Sequence, residues 1–368
     1  MTVFEVIAGV LYFLPIVLVA SFLLFTGGTL AWSRGPSAQG ALARIALAVP
    51  VTVALDTLAT LLLTIVFPLG TSAIIARALW TVGALALFVR HRGALRLATL
   101  RPALPTVAVA VSTSVLAVWP FRETSHTLNA WDREWHVPLA SSLQAQTLPF
   151  SNVFEPSRLR YHYLGDVVAA ILRTFSGNAL SSAAGLSLSH DLFVGLTAGW
   201  LATLVTALGR RRQIVALFGG IGLALHGPML RTLNADYDGY AYHPFSRLSY
   251  RPHVPIAFFA LTTFAGTLAL LAARSPLREP ALEGRVWRRL TRVRWLPRLA
   301  LLSSMMLLSL TDETSAALVG AALAFVWLFN PRLLAERRGW AMLWLVLLAL
   351  ALIVPNFAFT GSLAPGGP

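Results

Sequence analysis

Apolar residues in this chain run in long blocks, not in the alternating or one-faced patterns that mark a water-soluble core. Several blocks approach the roughly 20 residues that a helix needs to cross the hydrocarbon core of a bilayer. Lipid satisfies no backbone groups, so only helices or closed barrels span it. Barrel strands would read as segments of about ten alternating residues, and the sequence does not read that way. The pattern predicts an all-α fold, a polytopic transmembrane helical bundle with about nine to eleven membrane helices.

Composition supports this reading. Hydrophobic residues make up 57% and charged residues 12% of the chain, about half the charge of a soluble domain. All 29 basic residues are Arg. They cluster at 90–101, 210–212, 274–298 and 332–338, in short connections between apolar blocks, where they mark cytoplasmic loops. The high pI of 11.4 is thus a membrane-orientation signal. Nucleic acid is not expected as a partner, since no basic groove interleaved with aromatics is visible. The absence of cysteine excludes disulfides, thiolate nucleophiles and Cys-ligated zinc. The N-terminus carries Glu5 in place of a basic n-region and reads as a retained span.

With the Arg clusters as anchors the chain can be traced. Spans are expected at 3–24 (inward), 45–67 (outward), 72–89 (inward) and 104–119 (outward), delivering a first extracytoplasmic loop at 121–160. The strong span 186–208 ends on Arg210, Arg211 and Arg212 and must run inward, so the short apolar piece 161–175 is expected to be interfacial or re-entrant. Residues 214–225 run out to a second extracytoplasmic loop at 229–253, and 254–273 return to a basic cytoplasmic loop at 274–298. The apolar run 299–329 is broken at Thr311 to Thr314 and reads as two short helices, with Thr311 or Asp312 as an N-cap. A last span covers 341–355. No internal repeat or soluble domain is seen, so residues 1–368 form a single integral membrane domain.

This topology sorts the carboxylates and histidines onto one face. Cytoplasmic loops hold only Glu279, Glu283, Glu336 and His91, while the other loop and span-end acids and histidines fall on the outer side. Positive-inside bias depletes outer Arg but does not enrich outer His. A polar site on the outer face is the economical reading.

The richest segment is 130–166. If residues 131–137 are helical, Asp132 and His136 share a face; if they are extended, Asp132, Glu134 and His136 align instead. Pro138 favours an extended Val137 and a helix beginning at the proline. Either geometry supplies a cluster that can hold a metal or take a proton from a hydroxyl. The alternative is an interfacial anchor with Trp131 and Trp135 at the headgroups. Farther on, Arg158, Arg160, Tyr161, His162, Tyr163 and Asp166 bring guanidinium, imidazole and phenol groups to the membrane surface, as phosphate and hydroxyl binders or as an aromatic belt with snorkelling Arg.

Asp132 followed four residues later by His136, then Leu148-Pro149-Phe150, an Asn152 turn and Tyr161-His162-Tyr163-Leu164-Gly165, resembles the multi-pass glycosyltransferases of the GT-C superfamily. The resemblance is greatest to the bacterial and archaeal branch labelled YYY membrane proteins, with His162 in place of the middle Tyr. It covers roughly 119–175 and extends more loosely to 311–329.

The resemblance implies transfer of a hexosyl or pentosyl group from a polyprenyl-phosphate-linked donor to a lipid or glycan acceptor, in cell-envelope synthesis. The expected location is a bacterial inner membrane with the active face extracytoplasmic. It implies Asp132 at the reaction centre as general base or metal ligand, with Glu134 as the local competitor and His136 beside them. Arg160 and His162 would bind the lipid phosphate, and Asp312 or Glu313 would approach from the broken helix. The metal ligands stay unassigned, and the resemblance leaves room for a divalent cation, magnesium or manganese. Such chains usually run longer, so the Gly- and Pro-rich end at Pro368 points to a truncated C-terminus.

The second outer loop adds Asp236, Asp238, His243, Arg247, Arg251 and His253 among tyrosines, a surface suited to carbohydrate, although Asp236 to Gly239 also reads as an ordinary turn. Within spans, Asp56 and Arg77 either pair or Arg77 snorkels outward. His190 and Asp191 read as the cap of the span they open. Two other function classes stay in view. A transporter or lipid flippase would use the same carboxylates but calls for repeats and paired helix breaks, and a non-catalytic envelope scaffold fits a truncated chain.

Overall fold

In the computed structural model the described residues are 2–25, 38–92, 100–124, 130–154, 163–208, 253–273 and 295–329. They contain ten helices: α1 (Val3–Phe25), α2 (Ala38–Leu63), α3 (Leu69–Arg90), α4 (Leu100–Thr124), α5 (Ala130–Leu143), α6 (Leu164–Phe175), α7 (Ser182–Leu208), α8 (Val254–Ala273), α9 (Trp295–Thr311) and α10 (Glu313–Leu328). The expected spans at 214–225 and 341–355 lie outside the described residues, as do nearly all of the loops at 229–253 and 274–298.

The fold is all-helical among the described residues, and four helices are long and apolar enough to cross a membrane: Val3–Phe25, Leu42–Leu63, Leu69–Arg90 and Ser182–Ala207. Two of them show what surrounds them. α3 buries Leu69, Gly70, Ser72, Ala73, Ala76 and Arg77, while Ile74, Leu79, Val82, Leu85 and Val89 face outward, each more than half exposed. α1 likewise exposes Val3, Phe4, Val10 and Val17. Contiguous apolar faces of this kind are incompatible with water and natural against lipid.

The interior is held by close backbone approaches and by donors aimed at carbonyls that prolines release. α4 and α7 meet at Gly195 and Gly199, where Ser114 Oγ lies 2.8 Å from the Gly195 carbonyl. A methyl group at Gly199 would stand 2.4 Å from that hydroxyl, the close packing that small-xxx-small spacing permits between membrane helices. Pro15 lies inside α1 and Pro50 inside α2. Each lacks the N–H that would bond the carbonyl four residues earlier. Those carbonyls belong to Leu11 and Ala46. Arg77 Nε donates to Leu11 O at 2.8 Å, and Trp200 Nε1 donates to Ala46 O at 2.6 Å. Two other helices thus replace the missing intrahelical bonds.

Arg77 does more. Its Nη2 reaches the Tyr12 carbonyl at 3.1 Å, its Nη1 forms the ion pair with Asp56, and its guanidinium lies over the rings of Tyr12 and Phe175. Of the two readings the sequence left open, the pair is the one that forms.

One end of the bundle collects the elements the sequence assigns to the outer face. The irregular segment after α5 is pinned to the α2–α3 turn by main-chain bonds, Leu69 N to Gln146 O (2.9 Å), Gly70 N to Gln144 O (3.0 Å) and Leu148 N to Thr64 O (2.8 Å). Pro68 precedes α3 without a side-chain cap bond, so the carbonyls of Gln146 and Gln144 serve the otherwise orphaned first two amides of the helix.

Several boundaries differ from expectation. The span expected at 104–119 is the longer α4. The piece 161–175, expected as interfacial or re-entrant, contributes the twelve-residue α6, buried continuously from Leu164 to Leu172. α7 starts at Ser182, with Ser181 Oγ accepting from Ala184 N at 3.1 Å as the cap. His190 and Asp191 therefore sit inside the helix, not at its cap.

Candidate functional site

The segment 131–137 is helical, so the extended alternative that would align Asp132, Glu134 and His136 does not form. Pro138 lies within α5 instead of starting a helix. The carbonyl it releases belongs to Glu134, a residue exposed at the surface, where solvent can take up the bond. α5 therefore separates its polar residues by face. Glu134 is exposed, whereas His136 is 2% exposed.

His136 does not turn to its own helix for a partner. Its Nδ1 lies 2.9 Å and 3.0 Å from the two carboxylate oxygens of Asp166, at the start of α6. Asp166 is fully buried. α5 and α6 run side by side in the same direction, since Gln144 Nε2, past the end of α5, donates to Asn178 Oδ1, past the end of α6, at 2.7 Å. α7 runs back antiparallel to both. Leu186 packs on Ala140 and Ala169, and Ser182 Oγ is 2.6 Å from Ser141 Oγ.

A carboxylate only accepts. An ionised Asp166 therefore fixes the Nδ1–H tautomer of His136 and leaves Nε2 as the nitrogen with the lone pair, the arrangement that orients an imidazole as a base. Burial pushes the Asp166 carboxyl above its ordinary range, while the hydrogen bond and charge of His136 pull it back. The bond matters to the fold as well, because a buried acid left unpaired carries the full desolvation cost.

Around this pair the structure places the other expected residues unevenly. Asp132 stands one turn before His136 in the α5 backbone. Tyr163 is buried at the start of α6, its ring edge-on to Phe150 with centroids 5.4 Å apart. Burial pushes its phenol up to about 12, so it acts as a neutral group. Trp135 and Phe154 are both exposed, with ring centroids 4.5 Å apart. Asp312, one of the two caps the break in the sequence offers, is the N-cap of α10, accepting from Ser315 N at 3.1 Å and Ser315 Oγ at 2.6 Å. Glu313 is the first residue of that helix. Arg158, Arg160, Tyr161, His162, Asp236, His243 and Arg251 lie outside the described residues.

Among the described residues, no group of three or more His, Asp or Glu side chains could hold a metal ion. His136 and Asp166 supply only two ligand side chains, bonded to each other, and the described residues do not by themselves fit a divalent cation. Sequence reading missed the pairing itself. His136 and Asp166 are 30 residues apart on different helices, and no spacing rule connects them.

Comparisons with protein families, with characterised proteins and with solved structures return no match.

Proposed function

We propose that this chain is a membrane glycosyltransferase of GT-C type, moving a sugar from a polyprenyl-phosphate donor to a hydroxyl of a lipid or glycan acceptor at the outer face of a bacterial inner membrane. The observation that carries the reading is the His136–Asp166 bond. It joins the acid-and-histidine helix of the motif on which the resemblance rests to Asp166, the residue that follows the Tyr-x-Tyr-x-Gly element, inside a bundle with lipid-compatible outer faces.

The chemistry this arrangement serves is a displacement at the anomeric carbon. The acceptor oxygen forms a bond to that carbon as the bond to the phosphate oxygen breaks, and polyprenyl phosphate leaves with the electron pair. The acceptor's proton passes to His136 Nε2, and Asp166 stabilises the resulting imidazolium. Asp132, one turn away in the same helix, is the other candidate base. Arg160 and His162 are assigned to the donor phosphate, where a guanidinium is the stronger partner. Burial of His136 and Asp166 strengthens the interaction between them.

Proteoliposomes carrying polyprenyl-phosphate sugars test the reading. Asp132→Asn and Glu134→Gln, separately and together, are compared with the intact chain. Loss of transfer in Asp132→Asn with little change in the exposed Glu134→Gln is expected. Undiminished transfer in the double variant overturns the carboxylate assignment.

A further inference from the structure

The register of α7 against α5 and α6 carries one more assignment. Leu186 packs on Ala140 and Ala169, and a Cβ added to Gly185 would meet the Ala169 carbonyl at 2.9 Å. Because α7 is antiparallel to its neighbours, one turn onward in α7 corresponds to about one turn back in α5 and α6. One turn onward from Gly185 and Leu186 are Ser189 and His190. One turn back from Ala140 is His136, and about one turn back from Ala169 is Asp166. Residues three or four apart share a helix face, so Ser189 and His190 continue the stripe that Gly185 and Leu186 press against α5 and α6.

Burial agrees. Ser189 is 0% and His190 5% exposed, as buried as His136 and Asp166 themselves. His190 Nδ1 lies 3.3 Å from Asp191 Oδ1, a second imidazole–carboxylate pair. Among the described residues the Ser189 hydroxyl has no hydrogen-bond partner. A buried hydroxyl in that state calls for a water or a ligand hydroxyl.

We infer that Ser189 and His190 form the acceptor-hydroxyl subsite of the centre built on His136 and Asp166. Ser189 Oγ and the His190 ring hold the hydroxyl of the sugar or lipid acceptor, and Asp191 orients His190 for that bond. The hydroxyl then lies between two imidazoles, one that binds it and one that removes its proton. This role rests on the glycosyl-transfer reading, whereas the clustering of the four side chains does not.

The absence of cysteine makes the geometry directly measurable, since any disulfide reports only the introduced pair. Ala140→Cys with Leu186→Cys is the positive control. His136→Cys with His190→Cys is the test pair, and Asp166→Cys with Ser189→Cys replaces it if the first pair fails to fold. Oxidative cross-linking of the test pair at the control's rate is expected, and a cross-linked control beside an inert, folded test pair overturns the cluster. In the transfer assay, Ser189→Ala and His190→Gln should each raise the acceptor KM about tenfold while leaving the donor KM unchanged. A loss confined to kcat, or an equal rise for donor and acceptor, overturns the subsite. No transfer by the intact, folded chain overturns the glycosyl-transfer reading together with the acceptor role, and the cross-link still decides the cluster.

Discussion

Arg77 donates its Nε–H to the main-chain carbonyl of Leu11, the oxygen that Pro15 leaves without a donor inside α1. An arginine on α3 thus completes a helix it does not belong to. The same guanidinium neutralises Asp56 on α2 and covers Phe175 at the end of α6, so α1, α2, α3 and α6 converge on one side chain. This explains why an ionisable residue is retained within an apolar helix, where an unpaired charge would be expensive.

Removing Arg77 therefore has two separable costs, a stranded Asp56 and a stranded carbonyl. Arg77→Met should destabilise by about 3–5 kcal/mol, the range for breaking a buried pair from one side. Adding Asp56→Leu should recover part of the loss, and adding Pro15→Ala, which restores the N–H to Leu11, should recover more. Thermal unfolding in detergent, read as a mutant cycle, checks this. Strict additivity of Arg77→Met and Pro15→Ala would contradict the account.

Trp200 has the matching role at Pro50. Its indole bonds the Ala46 carbonyl that Pro50 frees, so Trp200→Phe keeps an aromatic ring but loses the bond together with part of the buried indole volume. A cost of about 1–3 kcal/mol is expected, since the buried carbonyl is left unsatisfied. Pro50→Ala in the Trp200→Phe background should cancel most of it. An equal unfolding midpoint for Trp200→Phe and the intact protein would show that the carbonyl is served otherwise.

The α4–α7 contact predicts a pair of opposite effects. Gly199→Ala puts a methyl group against Ser114 Oγ at 2.4 Å, an overpacking expected to cost about 1–3 kcal/mol. Ser114→Ala removes that oxygen and should largely restore the midpoint of Gly199→Ala. Failure of the second substitution to rescue the first would place the strain elsewhere.

Asp166 makes the stability pH-dependent in a defined direction. Its folded pKa is raised, mainly by burial. The stabilisation linked to its proton is therefore complete below the ordinary carboxyl value of about 3.9 and is lost as pH rises through the raised folded value. Asp166→Asn carries no titrating proton. The unfolding-midpoint advantage of the intact protein over Asp166→Asn should thus shrink or reverse as pH rises from about 4 toward neutrality. A difference that grows with pH would contradict burial as the dominant cause.

Much of the architecture was readable in the chain. Long apolar blocks announce helices, Thr311 to Thr314 announces a break with Thr311 or Asp312 as its cap, and Asp56 and Arg77 stand as a candidate pair, with the structure selecting Asp312 and the pair. What was not readable depends on contacts between helices far apart in sequence. Pro138 looked like a helix start because local sterics favour that position, yet packing of Leu139, Ala140 and Leu143 carries α5 through it. His190 and Asp191 looked like a cap because the apolar run thickens after them, while the true cap, Ser181, stands before a weakly apolar first turn. The candidate site was half legible. Each of its residues was nameable, but the partnership of His136 with Asp166 required the parallel packing of α5 on α6.

The most direct test of the central claim is product formation by the purified chain in proteoliposomes. The donor is a labelled polyprenyl-phosphate sugar and the acceptor a soluble glycan, supplied from the side on which the 144–150 segment is exposed to an added protease. The account predicts labelled product from that side only, reduced roughly 10²–10⁴-fold by His136→Gln at a temperature where that variant is still folded. Product formed equally well by His136→Gln, or no product from the folded chain with any hexosyl or pentosyl donor, would contradict it.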